Sequence, residues 1–130
     1  MNVSQLYERA YNFLKAAKFN YDNGYYDISI YATEEALYLF LNACIIERWN
    51  ELPWYFDFDA LLRATSRLLS IDELDRIRVT EKNLIKTLNE IRIRLGYSIP
   101  LESNKKEAEE LMLFAERIFE IINKVKKGIT

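Results

Sequence analysis

Three glycines and two prolines in 130 residues leave little chain for tight turns. Sandwiches and barrels need turns at short, regular intervals, and Gly and Pro are central to building them. This composition argues for long helices. Gly24, Pro53, Gly96 and Pro100 punctuate the chain, and apolar residues between them recur at the 3.6-residue helical period.

The first segment, about Val3 to Asn23, places Val3, Leu6, Tyr7, Ala10, Phe13, Leu14, Ala17 and Tyr21 on one stripe. Gly24 suits a left-handed helix end. A second segment runs from about Asp27, a natural N-cap, to Asn50, and Pro53 bars its continuation. After the aromatic connection Trp54–Phe58, a shorter helix spans about Asp59 to Leu69. Ser70-Ile71-Asp72-Glu73 fits a capping box for a helix of one or two turns ending near Arg78. Thr80 can cap the next long helix, which carries Leu84, Leu88, Ile91 and Leu95 and stops at Gly96. Residues 98–102 read as a loop. The last helix, about Lys105 to Lys127, has a seam of Ala108, Leu111, Ala115, Ile118, Ile122 and Val125. No segment has a strand's two-residue period. The expected fold is all-α, one domain over residues 1–130. It is an up-down-up-down four-helix bundle with one or two additional short helices inserted before the third long one.

The second segment is apolar nearly all round: Leu37, Leu39, Phe40, Leu41, Ala43, Cys44, Ile45 and Ile46 point in almost every direction. Glu34, Glu35 and Asn42 form its polar strip. Such a helix must be covered on more than one side. It is the centre of the bundle or it packs against a second subunit. In the second case Leu41 and Ile45, together with Ile93, are the candidate dimer interface.

Histidine is absent and cysteine occurs once, as Cys44. That removes Ser-His-Asp and Cys-His nucleophile pairs, and zinc sites built from His and Cys. No metal or cofactor is expected. Glu34, Glu35, Asp22, Asp27, Glu107, Glu109 and Glu110 read better as solvated helix faces than as a carboxylate magnesium site. Di-iron bundles require Glu-x-x-His, which cannot exist here. A lone Cys in the run Asn42–Ile46 reads as an inert core thiol in a reducing compartment. The expected location is cytoplasmic. No signal peptide is read, and the longest apolar run, Ala36 to Ile46, is too short for a bilayer. A single glutamine amid abundant Ile, Lys and Glu suits a thermophile. The net charge of −2 argues against a dedicated duplex-DNA binder but permits a local patch.

One stretch stands out as a contact surface, Glu90-Ile91-Arg92-Ile93-Arg94-Leu95-Gly96-Tyr97. Ile91 and Leu95 share the apolar stripe, Arg92 and Arg94 flank it, and Ile93 points away from the core. Arginine forks onto phosphate or carboxylate, and Tyr97 offers a ring and a hydroxyl. Arg92, Arg94 and Tyr97 are therefore candidate nucleotide- or RNA-binding residues. The plainer reading pairs both arginines with glutamates on the surface. Trp49, Trp54, Tyr55, Phe56 and Phe58 could stack bases, but they read more simply as a plug at one end of a bundle. Lys124, Lys126 and Lys127 suit a helix C-terminus.

Asn23-Gly24-Tyr25-Tyr26-Asp27-Ile28-Ser29, followed by Glu34-Glu35-Ala36-Leu37-Tyr38-Leu39-Phe40-Leu41-Asn42-Ala43, resembles the second-helix pattern of HEPN domains. Members often read there as G-x-Y-D and then E-Q-A-L-x-L-x-L-K-A. Ala10 to Ala17 is similar to that family's first helix. Arg94 to Tyr97, with the later Ala-Glu-Glu and Ala-Glu-Arg, resembles its fourth-to-fifth helix passage. The resemblance implies a bundle of four or five helices that pairs as a homodimer and is associated with nucleotide or RNA binding. It also implies frequent pairing with a minimal nucleotidyltransferase in toxin–antitoxin systems. Active members are metal-independent ribonucleases with an Arg-x4-6-His motif at the dimer interface. Arg94 matches the arginine, and no histidine follows it.

The expectation is therefore a non-catalytic homodimer. It would bind a nucleotide, an RNA or a nucleotidyltransferase-type partner near Arg92, Arg94 and Tyr97, away from any membrane. The alternative is a ribonuclease with an altered active site, in which Arg94 stabilises the phosphorane and Tyr97 replaces imidazole. An unperturbed tyrosine, with a pKa near 10, is a poor base at neutral pH.

Overall fold

The computed structural model describes residues 2–51, 57–97 and 104–128, except for the side chains of residues 95–97. It is all-α: α1 (Val3–Asp22), α2 (Tyr26–Trp49), α3 (Phe58–Leu69), α4 (Asp72–Thr80), α5 (Lys82–Tyr97) and α6 (Lys105–Lys126). There is no strand among the described residues.

Caps explain several boundaries. Asn2 Oδ1 accepts from the Ser4 amide at 2.9 Å, and Asn104 Oδ1 accepts from the Glu107 amide at 2.9 Å. Each satisfies a donor that the first turn of a helix leaves free. Gly24 has a φ of +80°, as expected of the residue that turns the chain out of α1. Asn50 ends α2 in the left-handed region, at a φ of +61°.

Three expected caps are corrected. Asp27 is not the N-cap of α2. The helix already begins at Tyr26, and Asp27 lies in its first turn, where its charge favours the helix dipole. Ser70 does not open a capping box. Its φ of +56° makes it the left-handed end of α3, and Ile71 precedes α4 without a side-chain cap. The Ser66 hydroxyl holds that corner instead, 2.9 Å from both the Ile71 carbonyl and Asp75 Oδ2. Thr80 is the last residue of α4, and Glu81 separates it from α5. Pro53 and Trp54–Phe56 lie outside the described residues. Of the other aromatic plug residues, Phe58 is fully buried and Trp49 is 45% exposed.

Helix α2 is the axis of the fold and packs against α1, α3, α5 and α6. The Tyr7 hydroxyl, early in α1, donates to Glu47 late in α2 at 3.2 Å, so those two helices run antiparallel. Tyr21 bonds Glu109 and Tyr11 meets Asn123, so α1 is also antiparallel to α6. Helices α2 and α6 thus run the same way, as an up-down-up-down order requires. Between them Phe40 and Phe119 stack with centroids 3.9 Å apart, and Tyr7 and Tyr11 meet Phe40 edge-on. Leu37, Leu41, Ile45, Leu61, Leu62, Leu88, Ile91, Leu111 and Ile118 complete the core with essentially no exposed surface. Each such side chain contributes about 1.5–3 kcal/mol through burial.

The all-round apolarity of α2 is therefore answered within one chain. Leu41 and Ile45 are both 0% exposed, so neither keeps surface for a second copy. Cys44 is buried beside Tyr7, and burial pushes its thiol up to about 11. No described helix is long and apolar enough to cross a membrane.

Candidate functional site

Arg92 and Arg94 are two residues apart on α5. At 100° per residue they leave opposite flanks of the helix, with Ile93 between them. That geometry gives the two arginines different surroundings.

Arg92 turns inward against α2. Its Nε and Nη2 both lie 2.7 Å from Glu34 Oε2, and Nη2 lies 2.9 Å from Glu35 Oε2. The guanidinium carbon sits 3.8 Å from the centre of the Tyr38 ring. Glu34 and Tyr38 are one helical turn apart, so carboxylate and ring project side by side and Arg92 lies across both. Planarity lets one guanidinium bond at its edge and stack on its face, which an ammonium cannot do.

Glu34 is 0% exposed, contrary to the solvated strip expected from the sequence. Burial is the largest influence on its carboxyl and raises its pKa to about 8, despite the opposing pull of Arg92. Its Oε1 has no hydrogen-bond partner among the described residues. Desolvation favours the neutral acid, because Arg92 divides its charge between two glutamates and reaches only one oxygen of Glu34. Glu35 is partly exposed.

Arg94 turns outward. It is exposed and makes no hydrogen bond or ion pair among the described residues. Ile93 is 60% exposed beside it. Tyr97 is the last residue of α5, and its side chain lies outside the described residues. Of the expected binding residues, then, Arg92 is engaged as a strut between α5 and α2, and Arg94 is exposed with no hydrogen-bond or ion-pair partner among the described residues. Of the expected interface residues, only Ile93 reaches the surface.

The plainer reading paired Arg92 with glutamates, but it named neither Glu34 and Glu35 nor the Tyr38 ring beneath the guanidinium. The local trace of this clamp is the i, i+4 spacing of Glu34 and Tyr38, which by itself names no partner. Among the described residues no group of three or more His, Cys, Asp or Glu is placed to hold a metal ion.

A family model described as the HEPN domain matches residues 3–125. No curated protein and no solved structure matches the chain.

Proposed function

The chain belongs to the HEPN domain family, and from that premise we propose that it is a non-catalytic binding protein. It works as a homodimer whose exposed α5 surface takes the phosphate of a nucleotide or RNA. A nucleotidyltransferase-type protein, as in toxin–antitoxin pairs, is the partner expected to meet the same surface. The observation that carries this reading is the division of labour between the two arginines. Arg92 is committed to Glu34 and Glu35, while Arg94 is exposed and makes no hydrogen bond or ion pair among the described residues. An exposed guanidinium without such contacts suits a phosphate.

Catalysis of the family's Arg-x4-6-His kind would need an imidazole that this chain lacks. The test is to incubate purified protein with a mixed RNA pool and to measure binding of the same pool in parallel. Binding without cleavage, weakened by Arg94→Ala, is the expected result. Cleavage that disappears in Arg94→Ala would install the altered ribonuclease instead. Loss of pairing in sedimentation on Ile93→Glu is expected of the homodimer, and a monomeric wild type at micromolar concentration would refute it.

A further inference from the structure

Helix α5 packs against α2, α3 and α4, whereas α6 packs against α1 and α2. Between α5 and α6 this leaves a groove of about 440 Å³. Leu84 on α5 and Phe114 on α6 form its apolar floor; Phe114 is buried and Leu84 is partly so. Leu113 stands on the lip at 56% exposure. At 100° per residue it points away from the seam of Leu111, Ala115 and Ile118 that holds α6 in the core. Packing within the chain therefore does not account for a leucine there.

The polar groups stand around this floor. Glu81 lies on one wall, and Glu110 and Arg117 on the other. Arg117 faces Glu73 at 3.9 Å, so a carboxylate of the same chain already answers its charge. Glu81 and Glu110 set the sign of the remaining rim. An apolar centre inside a polar rim is the anatomy of a protein interface, whereas a small-molecule site brings its polar groups to converge on the ligand. From Glu110 to Arg117 the wall runs about 10 Å, close to two turns of a helix laid alongside. Such a helix would pack against α5 and α6 together, as bundle helices do with their neighbours.

We propose that this groove docks a helix of a partner protein whose apolar stripe is flanked by lysines or arginines. Its apolar side chains cover Leu113 and reach Leu84 and Phe114, and its cations stand against Glu81 and Glu110. Opposite charges at the rim then select the partner and its orientation. Neither Arg94 nor Ile93 takes part, so this surface is independent of the phosphate contact and of the pairing proposed above.

Two labelled helical peptides of about 15 residues test this by fluorescence anisotropy. Both carry the same leucine stripe, flanked by lysines in one and by glutamates in the other. The lysine peptide is expected to bind about tenfold more tightly. Leu113→Ser is expected to weaken its binding about fivefold. Glu81→Gln/Glu110→Gln is expected to cut the preference for lysine to about twofold. Ile28→Ser alters an apolar side chain of similar exposure, 48%, on α2, and serves as the control that leaves binding unchanged. Equal binding of the two peptides would overturn the proposal, as would binding that Leu113→Ser does not weaken or the absence of any binding. If Leu113→Ser lowers self-association in sedimentation, the occupant is a second copy of this chain and the partner helix is wrong. RNA binding that depends on Arg94 is expected to survive in every one of these variants, so the two surfaces stand or fall separately.

Discussion

Arg92 meets Glu34 with Nε 2.7 Å from Oε2, yet the carboxyl of Glu34 is pushed up to about 8. Pairing and burial act in opposite directions here, and burial is the stronger. Glu34 is enclosed completely, and its second oxygen meets no donor among the described residues.

This sets the sign of a pH dependence. The fold holds the proton of Glu34 more tightly than the unfolded chain, where the carboxyl titrates near 4.5. The contribution of the neutral acid is fully present below about pH 4.5 and is lost as pH rises through about 8. Wild-type Tm is expected to fall from this source between those limits. Glu34→Gln, which stays neutral, should flatten that part of the curve. Parallel pH profiles for the two proteins would show that Glu34 is not the titrating group.

Removing Arg92 leaves Glu34 buried without its cation. At pH 9, where Glu34 is mostly ionised, Arg92→Ala is expected to lower stability by about 3 kcal/mol, as for other broken buried pairs. At pH 6 the acid is neutral and the loss is smaller. Arg94→Ala removes no hydrogen bond or ion pair among the described residues and should change stability by less than about 0.5 kcal/mol at either pH. Urea denaturation of both variants at both pH values measures the contrast, and equal losses for the two would contradict the division between strut and exposed arginine.

Much of the helical framework was legible because helices declare themselves locally. The stripe on α6, the glycine after α1 and the end of α2 follow from spacing and from single residues. What the sequence concealed depends on contacts between distant segments or on competing local roles. Glu34 reads as solvated because a carboxylate normally is, and its burial requires an arginine 58 positions away. Ser70-Ile71-Asp72-Glu73 has the letters of a capping box. Ser70 is taken by the left-handed end of α3, and one residue cannot adopt that φ and the extended backbone of an N-cap together. The apolarity of α2 announces that it must be covered, and is silent on which chain covers it.

Cys44 should be chemically silent in the native protein. It has almost no exposed surface, and its thiol sits near 11, so little thiolate exists at neutral pH. Reaction with a disulfide reagent is expected only at the rate of unfolding, and to become rapid in denaturant. A fast native reaction would mean that the α1–α2 contact around Tyr7 opens readily.

Leu41 and Ile93 separate the core from any surface of association. Leu41→Ala creates a cavity in a site sealed by its own chain, and should lower stability by about 2–5 kcal/mol. Provided the variant remains folded, its association measured by sedimentation should match that of wild type. Ile93→Glu changes a side chain that is 60% exposed and should leave unfolding of the single chain within about 0.5 kcal/mol of wild type. Its effect should instead appear in sedimentation, as a shift of the pairing equilibrium toward monomer. If Leu41→Ala disrupts pairing while Ile93→Glu leaves it intact, the contact between copies cannot be the outer face of α5. It would then have to involve a rearrangement that opens α2.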